Sequence, residues 1–249
     1  FLADNKQIDW ESLEEAIYYS IRFLDNVIEM NNYIIPEIKA MVMGNRKIGL
    51  GIMGWAELLI KIRIAYDSDE ALQLAEQLMK FINDKSKDAS IDLAKQRGAF
   101  KNWDKSIYYP RTPIRNATRI SIAPTGTISI IAGTSSSIEP LFALAYYREN
   151  ILNNETMESN DPLFLDYLKE HNLYSETIIQ QVKKTGTLAE TDLPDEVKKL
   201  FKTSLEIAPE WHIKHQVAFQ KYTDNAVSKT IYLPAETTFS DINNALLKK

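Results

Sequence analysis

The sequence predicts an α/β protein on three observations. Long segments carry apolar residues at helical spacing, two short segments rich in β-branched residues read as strands, and glycine or proline punctuates the junctions. At 249 residues, 45% of them hydrophobic and 25% charged, the chain can bury a large core. We read it as a single domain over 1–249.

The first helix is predicted from Asp9 to Asn31 or Asn32. Leu13, Ile17, Ile21, Leu24 and Ile28 recur at its spacing, and Asp9 or Ser12 is the candidate N-cap. Pro36 interrupts, and Gly49, Gly51 and Gly54 then precede a short apolar helix. Their spacing spells G-x-G-x-x-G, but a dinucleotide fingerprint needs a preceding strand, which "KAMVMGNRK" does not offer, so close backbone packing is preferred. A long helix follows from about Asp69 to Gln96, with Ser68 or Asp69 as N-cap and Gly98 as its stop.

Arg119–Ala123 reads as a short strand. Residues 150–210 are more polar and read as a helical excursion, with "NNETMESNDP" as one of its loops. A helix from Pro209 through Tyr222 and a strand over 225–234 complete the chain. The tyrosine pairs at 18/19, 108/109 and 146/147 are assigned to core packing or interfaces.

The formal charge of −5, with Lys and Arg scattered, gives no footprint for a nucleic-acid backbone. No apolar run approaches the roughly 18 residues of a membrane span, and no signal pattern opens the chain, so the cytoplasm is the expected location. The absence of cysteine excludes disulfides, thiolate metal sites and thiol chemistry by these residues alone. Phe1 stands where an initiator Met is expected, so the chain reads as a piece of something longer.

The stretch "ISIAPTGTISIIAGTSSSIEP" (120–140) concentrates hydroxyls and two glycines between isoleucines. If a strand ends at Ala123 and a helix begins soon after, the free amides from Thr125 to Ser129 converge on a point that attracts an anion. Gly126 would let a phosphate approach the backbone, and Thr125, Thr127 and Ser129 could add hydroxyl donors. No lysine follows the glycine, so this is not a Walker A loop, and such a site would anchor a phosphate rather than cleave it. A serine- and threonine-rich helix cap remains the plainer alternative. Ser135, Ser136 and Ser137 lack a nucleophile elbow, and His212 and His215 lack partners for a metal site and read as surface or core histidines.

Four segments in order, "RFLDNVIEMNNY", "RKIGLGIMGWAELL", "RISIAPTGTISIIAGTSSSIEPLFALAYYR" and "HQVAFQKYTDNAVSKTIYLP", resemble the catalytic subunit of ribonucleotide reductase over nearly the whole chain. The likeness is greatest to the adenosylcobalamin-dependent class. The resemblance implies the second half of a ten-stranded α/β barrel with helical excursions. It implies an oxidoreductase of deoxyribonucleotide biosynthesis, a vitamin B12-dependent ribonucleoside-diphosphate reductase that serves DNA synthesis. Its cofactor would be adenosylcobalamin, with cobalt. It also implies that Pro124, Thr125, Gly126, Thr127, Ile128 and Ser129 hold the phosphates of a ribonucleotide substrate, chiefly through backbone amides.

No catalytic residue and no metal ligand carries over. The radical cysteine is implied to lie in an N-terminal reductase segment, with a dithiol as reductant, so these residues alone are expected to be inactive. A homodimer is left open. The alternatives are the iron-dependent class with its radical-generating partner, and a non-catalytic nucleotide- or phosphate-binding module.

Two departures stand out. The family commonly has Gly where this chain has Ser137, and Asn where it has Tyr232. Iron-dependent relatives use two adjacent tyrosines on the latter strand, whereas Ile231 here precedes a lone Tyr232, for which a structural role is expected.

Overall fold

The computed structural model describes residues 1–3, 6–151, 155–233 and 237–247. The chain forms two compact units. The first comprises Phe1–Ile52, Gln73–Ala123 and Gln216–Ser228, and the second Met53–Leu72, Pro124–His215 and Lys229–Lys249.

In the first unit, α1 (Trp10–Met30) buries Leu13, Ile17, Ile21 and Ile28 on one face, as the spacing requires. Asp9 is its cap and accepts the Ser12 N–H at 3.0 Å. α2 (Pro36–Asn45) occupies the stretch that Pro36 was expected only to interrupt. Proline at the first helical position lacks only an N–H that would have no partner there. α4 (Asp69–Arg97) belongs to this unit from Gln73 onward and ends at Gly98 with φ +84°; its start, in the second unit, is capped by Ser68, whose hydroxyl accepts the Ala71 N–H at 3.2 Å. Trp10 meets Phe81 edge to face at 4.8 Å. Tyr19 and Tyr109 are exposed.

The strands expected at 119–123 and 225–234 are reduced to isolated parallel pairings, Leu50 beside Ile120 and Ile122 beside Val227. The physical cause is competition for backbone donors. Asp224 accepts the amides of Arg119 and Ile120 at 2.6 and 3.2 Å while its carboxylate pairs with the Arg119 guanidinium. Pro234 lies outside the described residues. Gly49 and Gly51 serve close approach, since an added Cβ would come within 2.4 and 2.5 Å of Ser121.

One carboxylate organises this unit. Asp25, fully buried on α1, accepts from Arg46 Nε at 2.9 Å, Arg97 Nη1 at 3.2 Å, Arg115 Nε at 3.3 Å and Asn116 Nδ2 at 3.1 Å.

In the second unit, α3 (Trp55–Lys61) starts at Gly54, whose φ of +82° turns the chain into the helix. α5 (Gly126–Ala132), α6 (Pro162–Glu170), α7 (Glu176–Thr185) and α8 (Asp195–Leu200) follow. Phe164, Leu168, Ile179, Val182, Val197 and Phe201 close a core with Leu141 and Leu144. Asp161 caps α6 by accepting the Phe164 N–H at 3.0 Å, and Gly186 ends α7 at φ +73°.

Residues 145–160, partly read as loop, form an antiparallel hairpin of β1 (Ala145–Ile151) and β2 (Glu155–Asn160), with Ala145 opposite Asn160. The excursion is therefore helical only after Asp161. α9 (Pro209–Gln220) and α10 (Phe239–Leu247) complete the helices. No helix among the described residues is long and apolar enough to cross a membrane.

Candidate functional site

α5 begins where the sequence places the candidate anion loop. Thr125 is its N-cap residue and adopts a left-handed conformation, φ 52°, an uncommon state for a β-branched residue. The Ser129 N–H bonds to the Thr125 carbonyl at 2.9 Å. The preceding amides of Gly126, Thr127 and Ile128 have no acceptor among the described residues, as the first turn of a helix dictates. All three residues are exposed.

Gly126 itself is not required by the fold. Its φ lies outside the left-handed region, and an added Cβ would meet nothing within 4 Å. The missing side chain leaves open space at the start of the helix, beside the three unpartnered amides.

The hydroxyls behave differently from the sequence expectation. Ser129 is 2% exposed, and its Oγ lies 3.1 Å from the Gly126 carbonyl and 2.9 Å from Ser136 Oγ, so it faces inward. Thr125 Oγ1 accepts the Ser137 N–H at 2.7 Å and holds the following turn. Thr127 is the hydroxyl left on the exposed side. Pro124 is exposed and leads into the turn, and Ile128 is 53% exposed.

Ser135, Ser136 and Ser137 form the wall behind the loop, and none meets a histidine. Ser137 is fully buried at φ 45°, a left-handed state that glycine adopts without strain, and its hydroxyl has no partner among the described residues. Replacing Ser137 with Gly should therefore stabilise the protein. Relief of about 1–2 kcal/mol of left-handed strain outweighs the roughly 0.5–1 kcal/mol entropic cost of a glycine. The check is a higher denaturation midpoint for the S137G variant.

Two functional-looking groups escaped the sequence reading. Glu139 pairs with Lys229, ninety residues away, and the Lys229 side chain is wholly buried. Lys229 also donates to His212 Nδ1 at 3.0 Å, which leaves Nε2 as the donor to the Ser204 carbonyl at 3.3 Å. Burial, and then the Lys229 charge, pushes His212 down to about 4. Burial does the same to His215, whose Nε2 bonds to the Tyr66 carbonyl at 2.8 Å and whose pKa is also about 4. Both are neutral core histidines near pH 7, and among the described residues no three ligands gather for a metal. Tyr232 packs its ring 5.8 Å from His212 and 6.2 Å from Phe142, consistent with a structural role. The only signal for the Glu139–Lys229 pair was that both residues fall in the resemblance segments with opposite charge.

The family model described as "Ribonucleotide reductase, barrel domain" matches residues 1–112 and 110–249. The vitamin B12-dependent ribonucleoside-diphosphate reductase of Thermoplasma acidophilum is 46% identical over 246 residues, which cover 98% of this chain and 32% of that one. The protein of the same name from Mycobacterium tuberculosis is 43% identical over 242 residues, covering 97% of this chain and 34% of its own length. The solved structure of the Actinobacillus ureae class Id ribonucleotide reductase alpha subunit superposes with a TM-score of 0.81 at 29% identity, over 95% of this chain and 44% of that one. The chain thus spans about a third of the length of the curated relatives it matches.

Proposed function

The chain belongs to the ribonucleotide reductase barrel family, and from that premise we propose that residues 124–129 anchor the phosphates of a ribonucleotide substrate during its reduction to a deoxyribonucleotide. The observation that carries this reading is the trio of unpartnered amides at Gly126, Thr127 and Ile128 beside a glycine the fold does not require. Preorganised amides bind an anion without having to reorient, and the positive end of α5 adds to the attraction. Thr127 supplies a hydroxyl donor on the same side, while Thr125 and Ser129 shape the loop from within.

The names of the relatives from Thermoplasma acidophilum and Mycobacterium tuberculosis support a vitamin B12-dependent diphosphate reductase as the whole enzyme, with adenosylcobalamin as cofactor. No histidine among the described residues is placed to hold the cofactor's cobalt. His171 is engaged by Arg63 and the Tyr167 carbonyl, and His212 and His215 are buried in the contacts given above. This chain's part lies with the substrate. The thiyl-radical cysteine and the reducing dithiol come from outside these cysteine-free residues, in the N-terminal reductase segment and an external reductant. The parallel pairings at Ile120 and Ile122 support a place for the first unit in the second half of the ten-stranded barrel.

Calorimetric titration of the chain with cytidine diphosphate and with cytidine tests the anchor. Heat of binding with the diphosphate and none with the nucleoside is the expected outcome. Equal affinity for both would remove the phosphate from the account.

A further inference from the structure

The Lys229 ammonium meets three acceptors, a Glu139 carboxylate oxygen, His212 Nδ1 at 3.0 Å and the Thr230 carbonyl at 2.6 Å, so each of its donors is used. The other oxygen of Glu139 accepts the Thr230 N–H at 2.9 Å. Burying both charges is costly, so such a pair is weak ground for stability and is better explained by what it fixes in place.

It fixes the turn that backs the anion loop. The Glu139 amide bonds to the Ser136 carbonyl at 3.0 Å, Ser136 Oγ lies 2.9 Å from Ser129 Oγ, and the Ser137 amide bonds to Thr125 Oγ1 at 2.7 Å. Thr125 and Ser137 are both left-handed, at φ 52° and 45°. Non-glycine residues keep that conformation only when their surroundings over-determine it.

We propose that the Glu139–Lys229 pair is a positioning device for the loop 124–129. It clamps the turn, holds the Ser137 amide on Thr125, and so keeps the amides of Gly126, Thr127 and Ile128 aimed at one point. The ligand side of this inference rests on the phosphate reading of the loop; the order of the loop itself can be measured without ligand.

The test is amide hydrogen exchange on the 249-residue chain and its Glu139→Gln/Lys229→Met double variant. Removing both charges together avoids leaving one buried alone and keeps global stability near that of the parent. The Ser129 and Ser137 amides should exchange about tenfold faster, while those of α6 and α7 in the same unit keep their rates. Affinity for cytidine diphosphate should fall by about the same factor. Unchanged exchange at Ser129 and Ser137, or equal acceleration in α6 and α7, would overturn the proposal. If the parent chain does not bind the diphosphate, the phosphate reading fails while the exchange result still decides the clamp. Should the double variant not fold, Glu139→Gln alone keeps an acceptor for Thr230 and is judged by the same two amides.

Discussion

Replacing Asp25 with Asn should destabilise the protein by about 3–5 kcal/mol, the cost of removing one partner from a buried ion pair. Asp25 is fully buried and accepts from three arginines and Asn116, and Arg46, which is 3% exposed, would be left facing an amide. The asparagine is nearly isosteric, so the loss reports on charge and not on a cavity. For a chain of this size the thermal midpoint should drop on the order of 10 °C. Glu29 also touches Arg46 and Arg115, but its side chain is 47% exposed, so Glu29→Gln should cost less than about 1 kcal/mol. Denaturant titration of the two variants measures both. A similar small loss for each would mean that Asp25 does not organise the unit.

The second large effect is on binding. Gly126→Val should weaken nucleotide diphosphate binding by about 1–3 kcal/mol, a five- to 150-fold rise in Kd, because amides that held a phosphate lose it behind a branched side chain. Folding should not suffer in parallel. An added Cβ at 126 meets nothing within 4 Å, and the residue needs no positive φ. Gly126→Ala separates the two effects further, since alanine favours the helix by up to about 1 kcal/mol while still intruding on the ligand's space. Loss of affinity with retained or raised stability is a combination that a fold-only role for Gly126 cannot produce.

What the sequence made legible depended on whether the deciding interactions were local. α1 and α4 were readable because their apolar spacing, their caps at Asp9 and Ser68, and the stop at Gly98 all lie within a few residues of the elements they define. α2 is hidden in the sequence because Pro36 looks like a breaker until it is placed at the first helical position. At 119–123 and 225–234 the sequence pattern promises more strand than forms. β-Branched composition says nothing about a distant carboxylate that takes the amides, as Asp224 does for Arg119 and Ile120 and Glu139 does for Thr230.

The same division runs through the site. The position of the loop and its helix start followed from proline, glycine and hydroxyl residues in series. Which hydroxyls turn inward did not, because Ser129 is drawn in by Ser136 and Thr125 by the Ser137 amide, contacts made only when the following turn folds back. The segments that carry the family resemblance contain Asp25 and Arg46, Arg119 and Asp224, and Glu139 and Lys229, which pair with one another across 21 to 105 residues.

The central claim is that three backbone amides at the start of α5 hold the substrate's phosphate. Proton–nitrogen correlation spectra of the labelled chain, titrated with cytidine diphosphate and then with cytidine, test it most directly. The account predicts that the Gly126, Thr127 and Ile128 amide resonances move downfield together with the diphosphate and stay in place with the nucleoside. Saturable shifts elsewhere in the chain with those three unmoved would contradict it.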